Sequence, residues 1–437
     1  MHSHEDAGVF TEKLRPTFHF TPAEHWINDP NGLLFYKGRY HLFFQHNPSG
    51  NLWGNMSWGH SSSTNLVDWQ HHPVAISCTE TEGIFSGSAV VDYNNTSGFG
   101  SLDNPPLIAI YTVHQNDGSH QAQHIAYSLD EGATWTKYAN NPVLDEGMKD
   151  FRDPKVSWDT TTNSWLMTVA KPQEFKIAFY QSSDLKSWTH LSDFGPTGAT
   201  GGCWECPDLF SLTSPNGEKR WVLIVSLNPG GITGGSGTQY FIGDWDGETF
   251  STNQKTIKWI DYGRDNYAGV TFSNVADNRR IFLGWMSNWD YASKYPSPIW
   301  RGQMTSPREL TIIKCNGEEF LSSLPIAELD VASDYTFEVS GSEDSIITIA
   351  DNDREVVIRF DVEEKKISID RSKAWFAELD DAPQTSPVIN LDSFTVRIVI
   401  DHGSLELFIP EAGIAMTSLH TLPATSAVLQ KTAKRLP

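Results

Sequence analysis

The chain has 437 residues, 39% hydrophobic and 20% charged, and 32 Lys+Arg against 54 Asp+Glu give it a net charge of −22. A field of that sign repels phosphate backbones and anionic headgroups, which argues against nucleic acid and anionic membranes as partners. No apolar run approaches the ~20 residues of a membrane helix, and 16 Trp, 23 Phe, 33 Gly and 23 Pro suit a soluble, strand-rich protein acting on a neutral substrate.

The N-terminal Met1–Gly8 has no apolar signal core. It reads as cytosolic, or as a mature or recombinant form whose signal has been removed. The sequons at Asn55, Asn94 and Asn95 lean toward secretion. Four cysteines, Cys78, Cys203, Cys206 and Cys315, include one CxxC. A zinc ribbon needs a second such pair, and the 15 His show no HExxH-type spacing, so neither metal nor cofactor is expected.

Along the chain, Gly, Pro, Asn and Asp interrupt nearly every window before an amphipathic helix can develop. Hairpins recur instead: Leu33–Tyr36 with Tyr40–Phe44, Ser88–Asp92 with Leu107–Tyr111, Lys155–Trp158 with Trp165–Val169, Leu209–Leu212 with Trp221–Ser226, and Val270–Ser273 with Ile281–Trp285. Third strands follow in the first four units, running toward Trp69, Trp135, Trp188 and Phe250, and those three tryptophans read as packing residues. Each unit opens on a polar motif at Asn28-Asp29, Phe85-Ser86, Arg152-Asp153, Glu205 and Tyr267. A repeat of roughly 60 residues built of three or four strands predicts an all-β, five-bladed β-propeller over residues 15–321. Two unrelated sandwiches would leave the regular polar openings unexplained. From about Pro325 tryptophan nearly vanishes and strands alternate at Ile346–Ala350, Val356–Phe360, Lys366–Ile369, Phe394–Ile400 and Leu405–Phe408. That pattern predicts a smaller C-terminal β-sandwich over 325–437.

The openings carry the chemistry. Asp-Pro and Glu-Cys-Pro are individually ordinary turn signals. In a propeller, however, the first strand of every blade lines one axis, so Asp29, Asp153 and Glu205 converge in one pocket. Three acids among tryptophans suit cleavage of a glycosidic bond by a carboxylate pair, with a third acid holding the sugar.

Trp26–Gly32, Phe85–Ser88, Phe151–Pro154 and Glu205–Pro207 together resemble glycoside hydrolase family 32, the invertases, exo-inulinases, levanases and fructan exohydrolases. Gly50–His60, Asn95–Gly100 and Gly235–Tyr240 look most like its secreted fungal members. The resemblance runs from about Arg15 to Leu310 and more weakly through Ile369–Ser372 and Val399–Phe408. Ile27 stands where many relatives have Met, and the C-terminal region looks short for the family. The resemblance implies a retaining, exo-acting β-fructofuranosidase on sucrose or fructan, extracellular and without cofactor. Asp29 is then the nucleophile, Glu205 the acid/base and Asp153 the transition-state stabiliser, with Arg152 keeping Asp153 ionised. Cys206 follows the acid in the family pattern, and Cys203 lies outside it. Asn28, Gln45, Trp53, Phe85 and Ser86 match positions lining the sugar pocket. Aligning Tyr40–Gln45 with Arg280–Trp285 adds Trp285 at the place of Gln45. Two like charges this close predict that the proton resides on Glu205 while Asp29 stays charged. A fructosyltransferase on the same scaffold is the alternative reading, and a non-catalytic carbohydrate-binding propeller a remote one.

Overall fold

The computed structural model describes residues 12, 14–379, 381–431 and 434–435. Met1–Gly8, where the leader reading fell, and the last positions of the 325–437 unit lie outside them. The protein is all-β, with strands joined by turns and short 3-10 segments. No helix among the described residues is long and apolar enough to cross a membrane.

Five sheets of four or five strands, antiparallel apart from one short edge pair, follow one another up to Pro325. Their opening strands are His25–Tyr36, Glu82–Val91, Arg152–Asp159, Cys203–Thr213 and Tyr267–Thr271. Local chemistry sets the strands. Lys37 and Gly38 both take positive φ (46° and 79°) between paired Tyr36 and Arg39, the two-residue hairpin whose twist matches its strands. Leu107–Gln115 reads as a nearly continuous apolar run and is buried along almost its whole length, as a strand covered on both faces must be.

Each opening strand packs against the next, and the fifth packs against the first, so the five form a closed ring. Trp300–Arg301 completes the closure by pairing in parallel with His25 and Trp26. The last strand of the fifth sheet runs Glu318–Pro325, beyond position 321.

Two five-stranded antiparallel sheets follow. One orders Ile414–Leu419, Ser404–Ile409, Ser393–Asp401, Asp334–Ser340 and Lys434–Arg435; the other orders Gln384–Thr385, Lys366–Asp370, Arg354–Asp361, Ser345–Asp351 and Ala427–Lys431. Phe337, Val396 and Leu407 of the one and Ile347, Ile358 and Ile367 of the other share a single core. Leu223, Val225 and Phe241 of the fourth sheet belong to the same core. The C-terminal sheets are therefore packed onto the ring.

Candidate active site

One irregularity, repeated five times, builds the site. Near the start of every opening strand three residue steps face only two on the neighbouring strand: Ile27 to Pro30 against His46 to Phe44, Ile84 to Gly87 against Val113 to Tyr111, Arg152 to Lys155 against Ala170 to Thr168, Glu205 to Asp208 against Ser226 to Ile224, and Tyr267 to Val270 against Trp285 to Leu283. A bulge of this kind leaves one residue unpaired and re-aims side chains. Pro30, Pro154 and Pro207 lack the N–H a regular ladder would use. Asp153, Cys206 and Ala268 take positive φ within their bulges (67°, 48° and 53°). The five bulges thus turn Asn28-Asp29, Phe85-Ser86, Asp153, Glu205 and Tyr267 into one cavity of about 460 Å3, whose wall includes Gln45, Trp53, His114, Gln121, Arg152 and Trp289.

Within it every acid has fixed donors. Asp29 Oδ1 accepts from Asn28 Nδ2 at 2.9 Å, and Asp29 Oδ2 accepts from Ser86 Oγ at 2.7 Å and, weakly, from Cys206 Sγ at 3.6 Å. Trp26 Nε1 in turn holds Asn28 Oδ1 at 2.8 Å. Asp153 Oδ2 accepts from the Cys206 N–H at 2.9 Å, while the Asp153 N–H donates to Thr112 Oγ1. Glu205 Oε1 accepts from Arg152 Nε and Nη2 at 3.1 and 3.0 Å, and Oε2 accepts from the Tyr267 hydroxyl. Burial pushes the Asp29 carboxyl up, opposed by the hydrogen bonds from Ser86 and Asn28. For Asp153 burial outweighs the Arg152 charge, and together with Glu205 and Asp29 it lifts the carboxyl to about 7. Among the described residues no group of three or more His, Cys, Asp or Glu could hold a metal.

Residues 19–323 match the Glycosyl hydrolases family 32 N-terminal domain, and 304–423 match the Glycosyl hydrolases family 32 C terminal. The chain belongs to glycosyl hydrolase family 32. It is 49% identical over 334 residues to the levanase of Bacillus subtilis (strain 168), covering 74% of this chain and 49% of the levanase. It is 42% identical over 352 residues to the extracellular exo-inulinase inuE of Aspergillus niger, covering 72% and 65%. The chain thus spans about half of the first relative and just under two thirds of the second. Its fold superposes on the exo-inulinase from Aspergillus awamori with a TM-score of 0.90, 32% identity and 97% of each chain covered. The β-fructofuranosidase from Schwanniomyces occidentalis complexed with fructosyl-erythritol gives 0.85, 31%, and 96% and 95%.

Of the residues singled out in the sequence, Asp29, Asp153, Glu205, Asn28, Gln45, Trp53, Phe85, Ser86 and Arg152 all line this family-32 cavity. Trp285 does not. Because Tyr267 pairs with Trp285 as Ile27 pairs with His46, the counterpart of Gln45 is Gly284. The alignment was off by one residue, and one residue turns a side chain to the opposite face. Trp285 is fully buried between Trp26 and Trp289, with ring centroids 5.9 and 4.9 Å away, and Trp289 is the tryptophan that reaches the cavity. The Arg152 hydrogen bonds likewise go to Glu205, Asp150 and Gln121 rather than to Asp153.

Sequence reasoning missed four residues. Asn31, oriented so that both ends of its amide are paired, donates to Ser86 Oγ at 3.2 Å and accepts from Gln45 Nε2 at 2.9 Å. Gln121 accepts from Arg152 Nη1 and from the Phe151 N–H. His114 stacks on Phe85, 4.5 Å between centroids. Trp289 lies outside any strand. The only available signal was that His114 and Gln121 flank a hairpin at the same end as the polar openings.

Proposed function

We propose that this protein is a retaining, exo-acting β-fructofuranosidase, releasing terminal β-fructofuranosyl units from sucrose and fructans by hydrolysis through a covalent fructosyl-enzyme. On the same reading the five sheets are the blades of a propeller spanning about 15–321, the two later sheets form a β-sandwich over 325–437, and the protein acts outside the cell. The carrying observation is that acids from the first, third and fourth sheets meet in one cavity of a family-32 chain, each held by its own donors.

The assignments follow from those donors. Asp29, fixed by Asn28 and Ser86, attacks the anomeric carbon. The bond to the leaving oxygen breaks as Glu205 gives that oxygen its proton. Glu205 then takes a proton from water, the water attacks the same carbon, and the Asp29 ester is cleaved. Two inversions give net retention, a geometry that needs carboxyls about 5–5.5 Å apart. Tyr267 and Arg152 hold one Glu205 oxygen each, which aims the carboxyl through both steps. Asp153 grips the sugar hydroxyls as positive charge develops on the ring. Phe85, Trp289 and the half-exposed Trp53 wall the sugar. The ring of opening strands admits a chain terminus but does not thread a polymer.

Early time points on inulin test the reading. Free fructose should appear from the first minutes, initially as the β-anomer. A ladder of oligofructosides without fructose would mean an open, endo-acting cleft, and dominant fructosyl transfer at dilute sucrose would place the chain with the transferases.

A further inference from the structure

A second cavity, of about 540 Å3, lies at the far ends of the opening strands, between the third, fourth and fifth sheets. Lys155, Trp158, Asp208, Lys219, Trp221 and Arg280 line it. Arg280 is its unusual member. The guanidinium lies over the Phe210 ring, 5.2 Å from the centroid, and its buried Nε has no partner. The guanidinium forms no ion pair or hydrogen bond among the described residues. Burial pulls its pKa down, and Asp208 only partly offsets this. A desolvated guanidinium that is only partly compensated is unfavourable.

The nearby acids are engaged elsewhere, Asp208 through its Oδ2 and Asp159 through both oxygens. Asp208 Oδ2 accepts from the Thr271 N–H at 2.8 Å and from Thr271 Oγ1 at 2.7 Å, and pairs with Lys155 at 3.4 Å. Asp159 accepts from the Thr161 N–H at 2.8 Å and from Trp245 Nε1 at 2.9 Å. Lys155 Nζ also donates to the Thr271 carbonyl. Lys219, on the exposed rim, sits over the Trp221 ring at 4.7 Å. Two cations, the half-buried Arg280 and the exposed Lys219, therefore face a roomy cavity without an ion pair to a carboxylate among the described residues. A guanidinium fork matches two oxygens of one group.

We propose that this cavity binds an oxoanion, the phosphate or carboxylate group of a small solute, held bidentately by Arg280 with Lys219 at the rim. The site is separate from the carboxylate cavity and would add ligand-linked stability to the ring.

Thermal melting and titration calorimetry on the full chain at pH 7 decide it. Sodium phosphate and sodium acetate are compared with sodium chloride at matched ionic strength. The expected result is a saturable rise in Tm and one calorimetric site for phosphate, acetate or both. A response to one alone assigns the site to that group. Arg280→Gln should weaken the binding at least tenfold, and Lys219→Ser, on the exposed rim, severalfold with the fold intact. Responses equal in wild type and both variants, or no saturable response to either anion, would overturn the proposal. Should Arg280→Gln fail to fold, Lys219→Ser and the wild-type titrations still decide.

Discussion

Two groups of buried acids in this molecule are treated in opposite ways. In the cavity, burial and mutual repulsion push Asp29 and Asp153 up, and the Arg152 guanidinium does not cancel them. Where the C-terminal sheets meet the ring, the acids are satisfied. Glu406 and Asp401 are both held below the usual carboxylate range, because their partners outweigh the burial that opposes it. Glu406 takes Arg308 and His19, and Asp401 takes His19 and the backbone N–H groups of Thr17, Phe18 and His19. Arg308 continues to Asp261 at 2.9 Å. Both groups are built from buried carboxylates, so burial alone does not mark function. What distinguishes the cavity is that its charge is left partly uncompensated beside open space, which suits a substrate that completes it.

The sharpest way to break the comparison is to neutralise the cavity. On the proposed assignment, Asp29→Asn removes the attacking group and Glu205→Gln removes the transferable proton. Each should leave a folded protein whose kcat on sucrose falls by about 100- to 10,000-fold or more. A Glu205→Gln enzyme with near-native turnover would end the assignment.

At the interface the same operation should be structural. Arg308→Met strands Glu406 and Asp261, and breaking a buried pair from one side costs about 3–5 kcal/mol. Chemical denaturation should show that loss, with kcat per folded molecule unchanged. Trp285→Phe sharpens the contrast: it removes packing volume between Trp26 and Trp289 and should lower stability by about 1–3 kcal/mol, less than a full truncation to Ala, with little effect on KM.

His19 gives the interface a pH signature. Burial would lower its pKa, but the hydrogen bonds to Asp401 and Glu406 raise it from 6.5 to about 9. A raised folded-state value means stabilisation fully present below about pH 6.5 and lost as the pH rises through about 9, on the order of 3 kcal/mol. Urea midpoints should fall across that window, and a His19→Gln variant should be flatter.

Much of this architecture was legible in the sequence for a physical reason. Strand periodicity and Gly/Pro punctuation are local, so the hairpins and the five polar openings could be read without a partner in view. The acids were readable because Pro after Asp29, Asp153 and Cys206 marks each break in the ladder. Register was not readable. The bulge opposite Gln45 and Gly284 exists only in the pairing, and a single unseen step moved Trp285 to the wrong face. Asn31, His114, Gln121 and Trp289 act through spatial neighbours contributed by other strands or loops, and no spacing within the chain announces them. The His19–Glu406–Arg308 network joins three remote segments, so it too was invisible.

The smallest expected effect tests the cavity from its stability side. Asp153 is lifted from 3.8 to about 7, chiefly by burial and then, against Arg152, by the neighbouring Glu205 and Asp29. A raised folded-state value binds the proton more tightly in the native protein than in the unfolded chain. Its stabilisation is therefore fully present below about pH 3.8 and disappears as the pH rises through about 7. The native protein gives up stability across that window to keep a reluctant charge in place. Asp153→Asn removes the titration while keeping a similar shape, so its gain over wild type should grow from pH 4 to pH 7.5, by about 1–2 kcal/mol given the coupling among the three acids. Urea melts at the two pH values measure the difference between the differences, in which any constant cost of the amide cancels. A gain independent of pH would mean that Asp153 is no more strained than the interface acids, and the contrast between the two groups would fail at its most exposed point.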